Sequence, residues 1–271
     1  MLKTRIYTGA ILSVAFVGMI LLSHIPWVLH TVSAFLCVGA ICELYRATGL
    51  VHNKCIFYIT CCVSVLVSFA PALVNEYIIL ILLIAAVVLF AYLMANVKNF
   101  HHIPQGISML VAVMIIFFIN SICKIRTMEY GIYLLALAIL TPVLTDIFAY
   151  VIGRAFGKTK LAPVISPKKT VEGSLGGTIA TVLILSLVAL ALDCGNVIQV
   201  KYGFLILYLF ITSAFAQFGD LAFSSIKRIV KIKDYGKLLP GHGGIMDRFD
   251  SWVFSMPVTC LFCIFIGSMI V

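Results

Sequence analysis

The feature that most constrains this chain is a succession of nine apolar runs, each long enough to cross a bilayer. A spanning helix needs about 20 mostly apolar residues, with a range of roughly 17 to 25. The runs cover 7–23, 26–44, 55–73, 77–95, 107–123, 131–152, 175–192, 204–223 and 252–271. With 63% hydrophobic and 11% charged residues, the chain is no soluble domain. The expectation is an all-α polytopic membrane protein of about nine transmembrane helices, because a lipid-exposed backbone must satisfy its own hydrogen bonds. Residues 1–125 read as N-terminal spans, and residues 126–271 as a catalytic region with large loops at 153–174 and 224–251. No internal repeat is evident, which counts against an inverted-repeat transporter. The residues before the first run show no small-residue cleavage site, so that run is expected to remain as a span.

The formal net charge of +9 follows from topology rather than from nucleic-acid binding. Cytoplasmic loops collect Lys and Arg. With the N-terminus in the cytoplasm, sixteen of the 19 basic residues fall on that side, and Lys124, Arg126 and Lys201 fall on the other. The two largest basic loops then share one face, as a single site requires. The nine cysteines lie mostly within apolar runs, where they act as small hydrophobes. Their odd count in hydrocarbon argues against a disulfide framework. Cys260 and Cys263 form a CxxC without a nearby His, which gives little support to a metal or redox site.

The polar chemistry concentrates between Ser224 and Asp250. Lys227, Arg228, Lys231, Lys233, Lys237 and Arg248 lie there with Asp234, Asp247, Asp250 and His242. Cations and free backbone N–H groups bind phosphate oxygens, and clustered carboxylates hold Mg²⁺ against them. A solvated basic loop is the plain alternative. Asp220, Ser224 and Lys227 are spaced i, i+4, i+7, so they share a face if the helix continues past the membrane. Asp247 and Asp250 meet on one face if a helix begins there. Asp146 is an intramembrane carboxylate, which marks function or a packing pair; Tyr150 shares its face. Ser166, Pro167, Lys168, Lys169 and Thr170 place two hydroxyls and two ammonium groups in the earlier loop, ahead of Gly173, Gly176 and Gly177. Those glycines suit close helix contact or close approach to a ligand. Glu43 reads equally as a packing partner or as the edge of a site.

Three stretches resemble one family. S-x-I-K-R, four residues, K-D-x-G, then L-P-x-H-G-G-I-x-D-R-F-D, across 224–250, resembles the signature of CDP-diacylglycerol synthases, the phosphatidate cytidylyltransferases. DxxAY at 146–150 and SPKKTxEGxxGG at 166–177 are similar to that family too. The likeness covers roughly the C-terminal half; the earlier spans match in hydropathy alone. It implies a Mg²⁺-dependent integral membrane enzyme that makes CDP-diacylglycerol and pyrophosphate from CTP and phosphatidic acid. A second, monovalent cation and a homodimer are further expectations, as is a bacterial inner membrane with the site facing the cytoplasm.

On this reading Asp220, Asp247, Lys227 and His242 are catalytic, and Asp220, Asp247 and Asp250 hold metal. Ser166, Lys168, Lys169, Thr170, Ser224, Arg228, Lys233, Gly243, Gly244, Arg248, Asp146 and Tyr150 bind substrate. The rivals are a CTP-dependent lipid kinase and, from another class, an ion-coupled transporter using Asp146 and Asp220. A transporter needs polar groups near the midplane of several helices, and most of these spans have no ionisable interior.

Overall fold

The computed structural model describes residues 14, 18–236, 238 and 243–270. Eight helices account for most of them: α1 Pro26–Thr48, α2 Lys54–Phe69, α3 Glu76–Ala95, α4 Gln105–Thr127, α5 Gly131–Phe156, α6 Val171–Cys194, α7 Tyr202–Ile229 and α8 Met246–Phe265. Seven are long and apolar enough to cross a membrane, and the protein is integral to one. The exception, α2, has 16 residues. The expected first span, 7–23, lies largely outside the described residues.

Local sequence sets several of the boundaries. Pro26 opens α1, where a missing N–H costs nothing, and Gly49 closes it at φ 80°. The side chains of Asn53 and Asn75 cap α2 and α3, accepting from Ile56 N at 3.4 Å and Tyr77 N at 2.8 Å. Pro142 inside α5 leaves the Ala138 carbonyl without its helical donor. The Ser255 hydroxyl of α8 donates to that oxygen at 3.0 Å, so a proline defect becomes a helix–helix contact.

Two departures from the expected boundaries matter for function. Helix α7 runs on to Ile229, so Ser224, Lys227 and Arg228 ride on helix rather than loop. Helix α8 starts at Met246, which puts Asp247 and Asp250 in its first two turns. The loop after α5 is also more ordered than a solvated connection. It forms an antiparallel pair, β1 Lys160–Ala162 with β2 Ser166–Thr170, in register Lys160 with Thr170 and Ala162 with Ser166. These are the only named strands among the described residues.

The helix ends sort into two groups. At one end, the Arg228 side chain of α7 reaches the Ile165 carbonyl, joining the two basic segments. At the other, the Tyr202 hydroxyl donates to Asp193 at 2.7 Å, and Lys201 N donates to Met269 O at 3.0 Å. Lys124 pairs with Glu76 there as well. Phe254 of α8 forms the hub of the core. It is fully buried and meets the rings of Phe90, Phe118, Phe218 and Phe223 at centroid distances of 5.4–6.2 Å. Edge-on ring pairs of this kind add about 0.5–1.5 kcal/mol each beyond their buried area. The hub lies one helical turn from Asp250, so it supports the site directly.

Candidate active site

Four carboxylates and two lysines collect where α5, β2, α7 and α8 meet. Their convergence depends on close helix approach. A Cβ added at Gly219 of α7 would lie 2.7 Å from the Asp250 carbonyl and 2.8 Å from the Phe254 ring. Hydrogen in place of a side chain there brings α7 onto α8 next to Asp220. On the other flank, a Cβ at Gly177 of α6 would lie 2.7 Å from the Ala149 nitrogen of α5. Of the two uses the sequence allowed these glycines, helix contact is the one seen.

Asp220 forms an ion pair with Lys169 of β2, and its Oδ1 accepts from Ser224 Oγ at 3.3 Å. Burial alone would lower the pKa of Lys169, but Asp220, Asp146 and Asp250 outweigh it and hold the ammonium above its ordinary value. Lys169 is therefore a fixed cation facing three carboxylates. Lys227 plays the matching part on α7. Its Nζ donates to Asp247 Oδ1 at 3.0 Å and lies 3.9 Å from Asp250 Oδ2. Ser251 links the remaining pair: its hydroxyl is 3.2 Å from Asp146 Oδ2 and 3.3 Å from Asp250 Oδ1.

Asp247 is held from behind. Its Oδ2 accepts from Tyr235 N at 2.8 Å and Gly244 N at 3.0 Å, leaving Oδ1 turned towards Lys227. Tyr235 is itself fastened, with its hydroxyl donating to Phe223 O at 2.9 Å and its ring 5.5 Å from the Lys227 ammonium. Burial first, then the charges of Asp250 and Asp247, raise the phenol far above its usual pKa, so it stays a donor. Glu43 of α1 caps the start of α8, accepting from Ile245 N at 3.0 Å and Met246 N at 2.8 Å.

Several expected ligands have internal partners. The N–H of Gly244, expected to meet substrate phosphate, donates to Asp247 Oδ2 at 3.0 Å. Gly243, at φ 85°, makes the turn beside it, a conformation that suits glycine. Thr170 is buried, and its hydroxyl accepts from Gly173 N at 3.2 Å as the N-cap of α6. Arg228 donates to the carbonyls of Ile165 at 2.9 Å and Ile232 at 3.5 Å, which ties the basic segments together. Lys168, Lys233, Arg248 and Tyr150 are exposed, and Ser166 is half-buried. His242 lies outside the described residues. The sequence reading passed over Ser251 and Tyr235 and left Glu43 undecided. The signal for Glu43 was its place as the only acid in the run 26–44.

Among the described residues, no group of three or more His, Cys, Asp or Glu is placed to hold a metal ion. Mg²⁺ does not require one, since it takes one or two carboxylates and fills its shell with phosphate oxygens and water. The donors fit that habit. Asp220 faces the Lys169 ammonium, and Asp247 and Asp250 face that of Lys227, so a cation already neutralises the places where a metal would act.

A profile of the cytidylyltransferase family matches residues 3–266. The chain is also similar to proteins named phosphatidate cytidylyltransferase. Identity is 43% over 133 residues with the one from Staphylococcus saprophyticus, covering 49% of this chain and 50% of that protein. It is 37% over 178 residues with the one from Bacillus subtilis, covering 65% of each. The chain thus spans about half to two thirds of the length of the curated relatives it matches. With the family profile running nearly end to end, the chain belongs to the cytidylyltransferase family.

Proposed function

We propose that this protein is a phosphatidate cytidylyltransferase. A phosphate oxygen of phosphatidic acid attacks the α-phosphorus of CTP, the bond to the α–β bridging oxygen breaks, and pyrophosphate leaves with CDP-diacylglycerol formed. The observation that carries this reading is the pairing of Lys169 with Asp220 and of Lys227 with Asp247 and Asp250 at one end of a helical membrane bundle. Phosphoryl transfer of this kind rests on positioning and charge neutralisation more than on a strong base. The attacking lipid phosphate is already ionised near neutral pH, with a second pKa of about 6 for phosphate monoesters.

Each group has a task. Lys168, Lys233 and Arg248 are exposed, and as a basic rim they would draw in the triphosphate. Lys169 and Lys227 hold phosphate oxygens within the site. One or two of the acids Asp220, Asp247 and Asp250, with Asp146 nearby, would hold Mg²⁺, which when bound neutralises the triphosphate and polarises the α-phosphate. Ser251 and Tyr235 keep the carboxylates in place.

Purified protein in detergent with CTP, phosphatidic acid and Mg²⁺ should yield CDP-diacylglycerol and pyrophosphate in equal amounts. Release of CDP with a phosphorylated polyprenol, and no liponucleotide, would make the protein a lipid kinase instead. Homologues from bacteria support an inner-membrane location, with the basic end in the cytoplasm. On a Cys-free background, a cysteine replacing Lys160 should react with an impermeant thiol reagent only after the membrane is opened. One replacing Lys201 should react in intact cells; the reverse pattern would invert the topology.

A further inference from the structure

We infer that Glu43, far upstream of the signature, is a positioning residue of the site, setting how α8 presents Asp247 and Asp250. This deepens the proposed activity and rests on it. Both oxygens of Glu43 are committed: Oε1 accepts from Ile245 N at 3.0 Å and Oε2 from Met246 N at 2.8 Å. The residue is 5% exposed. The next residues along α8 are Asp247, whose Oδ1 meets Lys227, and Asp250 one turn later. Whatever fixes the amides of Ile245 and Met246 therefore fixes the depth and rotation of those two carboxylates.

The surroundings leave the carboxylate no slack. A Cβ added at Gly236 would come within 2.7 Å of Glu43 Cδ, and one at Gly244 within 2.5 Å. One turn earlier on α1, Gly39 faces the buried Ile245 side chain, and a Cβ there would run into it. Gly39 and Glu43 lie at i, i+4, so one face of α1 seats the turn before α8. The glycines of the signature thus have a second use: they make room for an acid supplied by the N-terminal half. The N-terminus of a helix attracts anions. Here Glu43 fills that place, so substrate phosphate must be held elsewhere, on Lys169, Lys227 and the basic rim.

Glutamine keeps the shape of Glu43 but turns one acceptor into a donor, which would face a backbone N–H. Aspartate keeps the charge but falls short by one methylene, reaching one amide at a time. A misplacement of about 1 Å can cost around 10²-fold in rate. In the detergent-solubilised protein, Glu43→Gln should lower kcat for CDP-diacylglycerol formation by about that factor. KM for CTP should move by less than about threefold, because the loss falls on the transition state. Glu43→Asp should recover part of kcat, and the melting temperature should change little in either. Hydrogen exchange at the amides of Ile245 and Met246 should speed up in Glu43→Gln. Gly236→Ala, which presses on the carboxylate from the other side, gives a second perturbation with the same expected kcat loss if Glu43→Gln does not fold.

A Glu43→Gln enzyme with kcat within twofold of wild type overturns the proposal. So does a rate loss that only tracks the lost folded fraction. If the wild type makes no CDP-diacylglycerol, the proposed activity fails. The placement of α8 by Glu43 is then decided by exchange alone, and unchanged protection in Glu43→Gln overturns it.

Discussion

Lys227 joins two carboxylates of the next helix: its ammonium lies 3.0 Å from Asp247 Oδ1 and 3.9 Å from Asp250 Oδ2. The lysine and both acids are buried. Removing one member of a buried charge group leaves the others uncompensated, at a cost of about 3–5 kcal/mol. Lys227→Met should therefore lower the melting temperature clearly as well as abolish turnover. Adding Asp247→Asn to it should restore much of the thermal stability and none of the activity. Equal stability of the wild type and Lys227→Met would show that the pair contributes chemistry alone.

Metal dependence should separate the acids. Asp220→Asn and Asp247→Asn should each lose activity by orders of magnitude, with part returning at high Mg²⁺. Asp234 is exposed, and Asp193 accepts from Tyr202 at the opposite end of the bundle, so their Asn variants should titrate like wild type. A Mg²⁺ titration across the four variants decides this. Unchanged Mg²⁺ curves for Asp220→Asn and Asp247→Asn would move the metal towards Asp146.

The two adjacent lysines of β2 should differ. Lys169 faces Asp220, whereas Lys168 is exposed on the rim. Removing a charge-assisted contact costs about 1.5–3 kcal/mol, roughly tenfold to a hundredfold in rate. Lys169→Ala should show that loss in kcat, and Lys168→Ala should act mainly on KM for CTP. The pKa of Lys169 is raised from 10.5, so its stabilising charge is fully present below that value and is lost only as pH climbs through the higher folded value. Wild type and Lys169→Met should thus show the same stability trend from pH 7 to 10. Divergence within that window would mean that the ammonium titrates earlier than its neighbours dictate.

The membrane class and the site region were legible because charges are scarce in an apolar chain. Asp220, Lys227, Asp247 and Asp250 stood out, and helical spacing alone put the first two on one face. What the sequence could not show was which polar groups were already taken. Gly244, Thr170 and Arg228 have the right chemistry for phosphate, yet their groups bond to Asp247 Oδ2, Gly173 N and two loop carbonyls. That competition is set by tertiary folding, as is the role of Glu43, whose partners lie 202 and 203 positions away. The β1–β2 pair was missed because three and five residues are too few to display a period of two.

The closeness of α7 and α8 can be tested without touching a charge. Gly219 precedes Asp220, and an added Cβ would meet the Asp250 carbonyl at 2.7 Å and the Phe254 ring at 2.8 Å. The carbonyl belongs to a helix backbone and the ring to the packed aromatic hub, so neither yields easily. Gly219→Ala should push the helices apart where Asp220 and Asp250 converge. Overpacking of this kind costs about 1–3 kcal/mol in stability. The loss in kcat should exceed what that destabilisation explains, since all charged groups remain but their spacing changes. Gly203 provides the control within the same helix. A Cβ there meets nothing within 4 Å, so Gly203→Ala should keep full activity. It should also gain up to about 1 kcal/mol from the reduced entropy of the unfolded chain. Comparing kcat and melting temperature for the two alanine variants decides the matter. If Gly219→Ala turns over as fast as Gly203→Ala, the site tolerates a wider α7–α8 gap, and Asp220 and Asp250 need not act together.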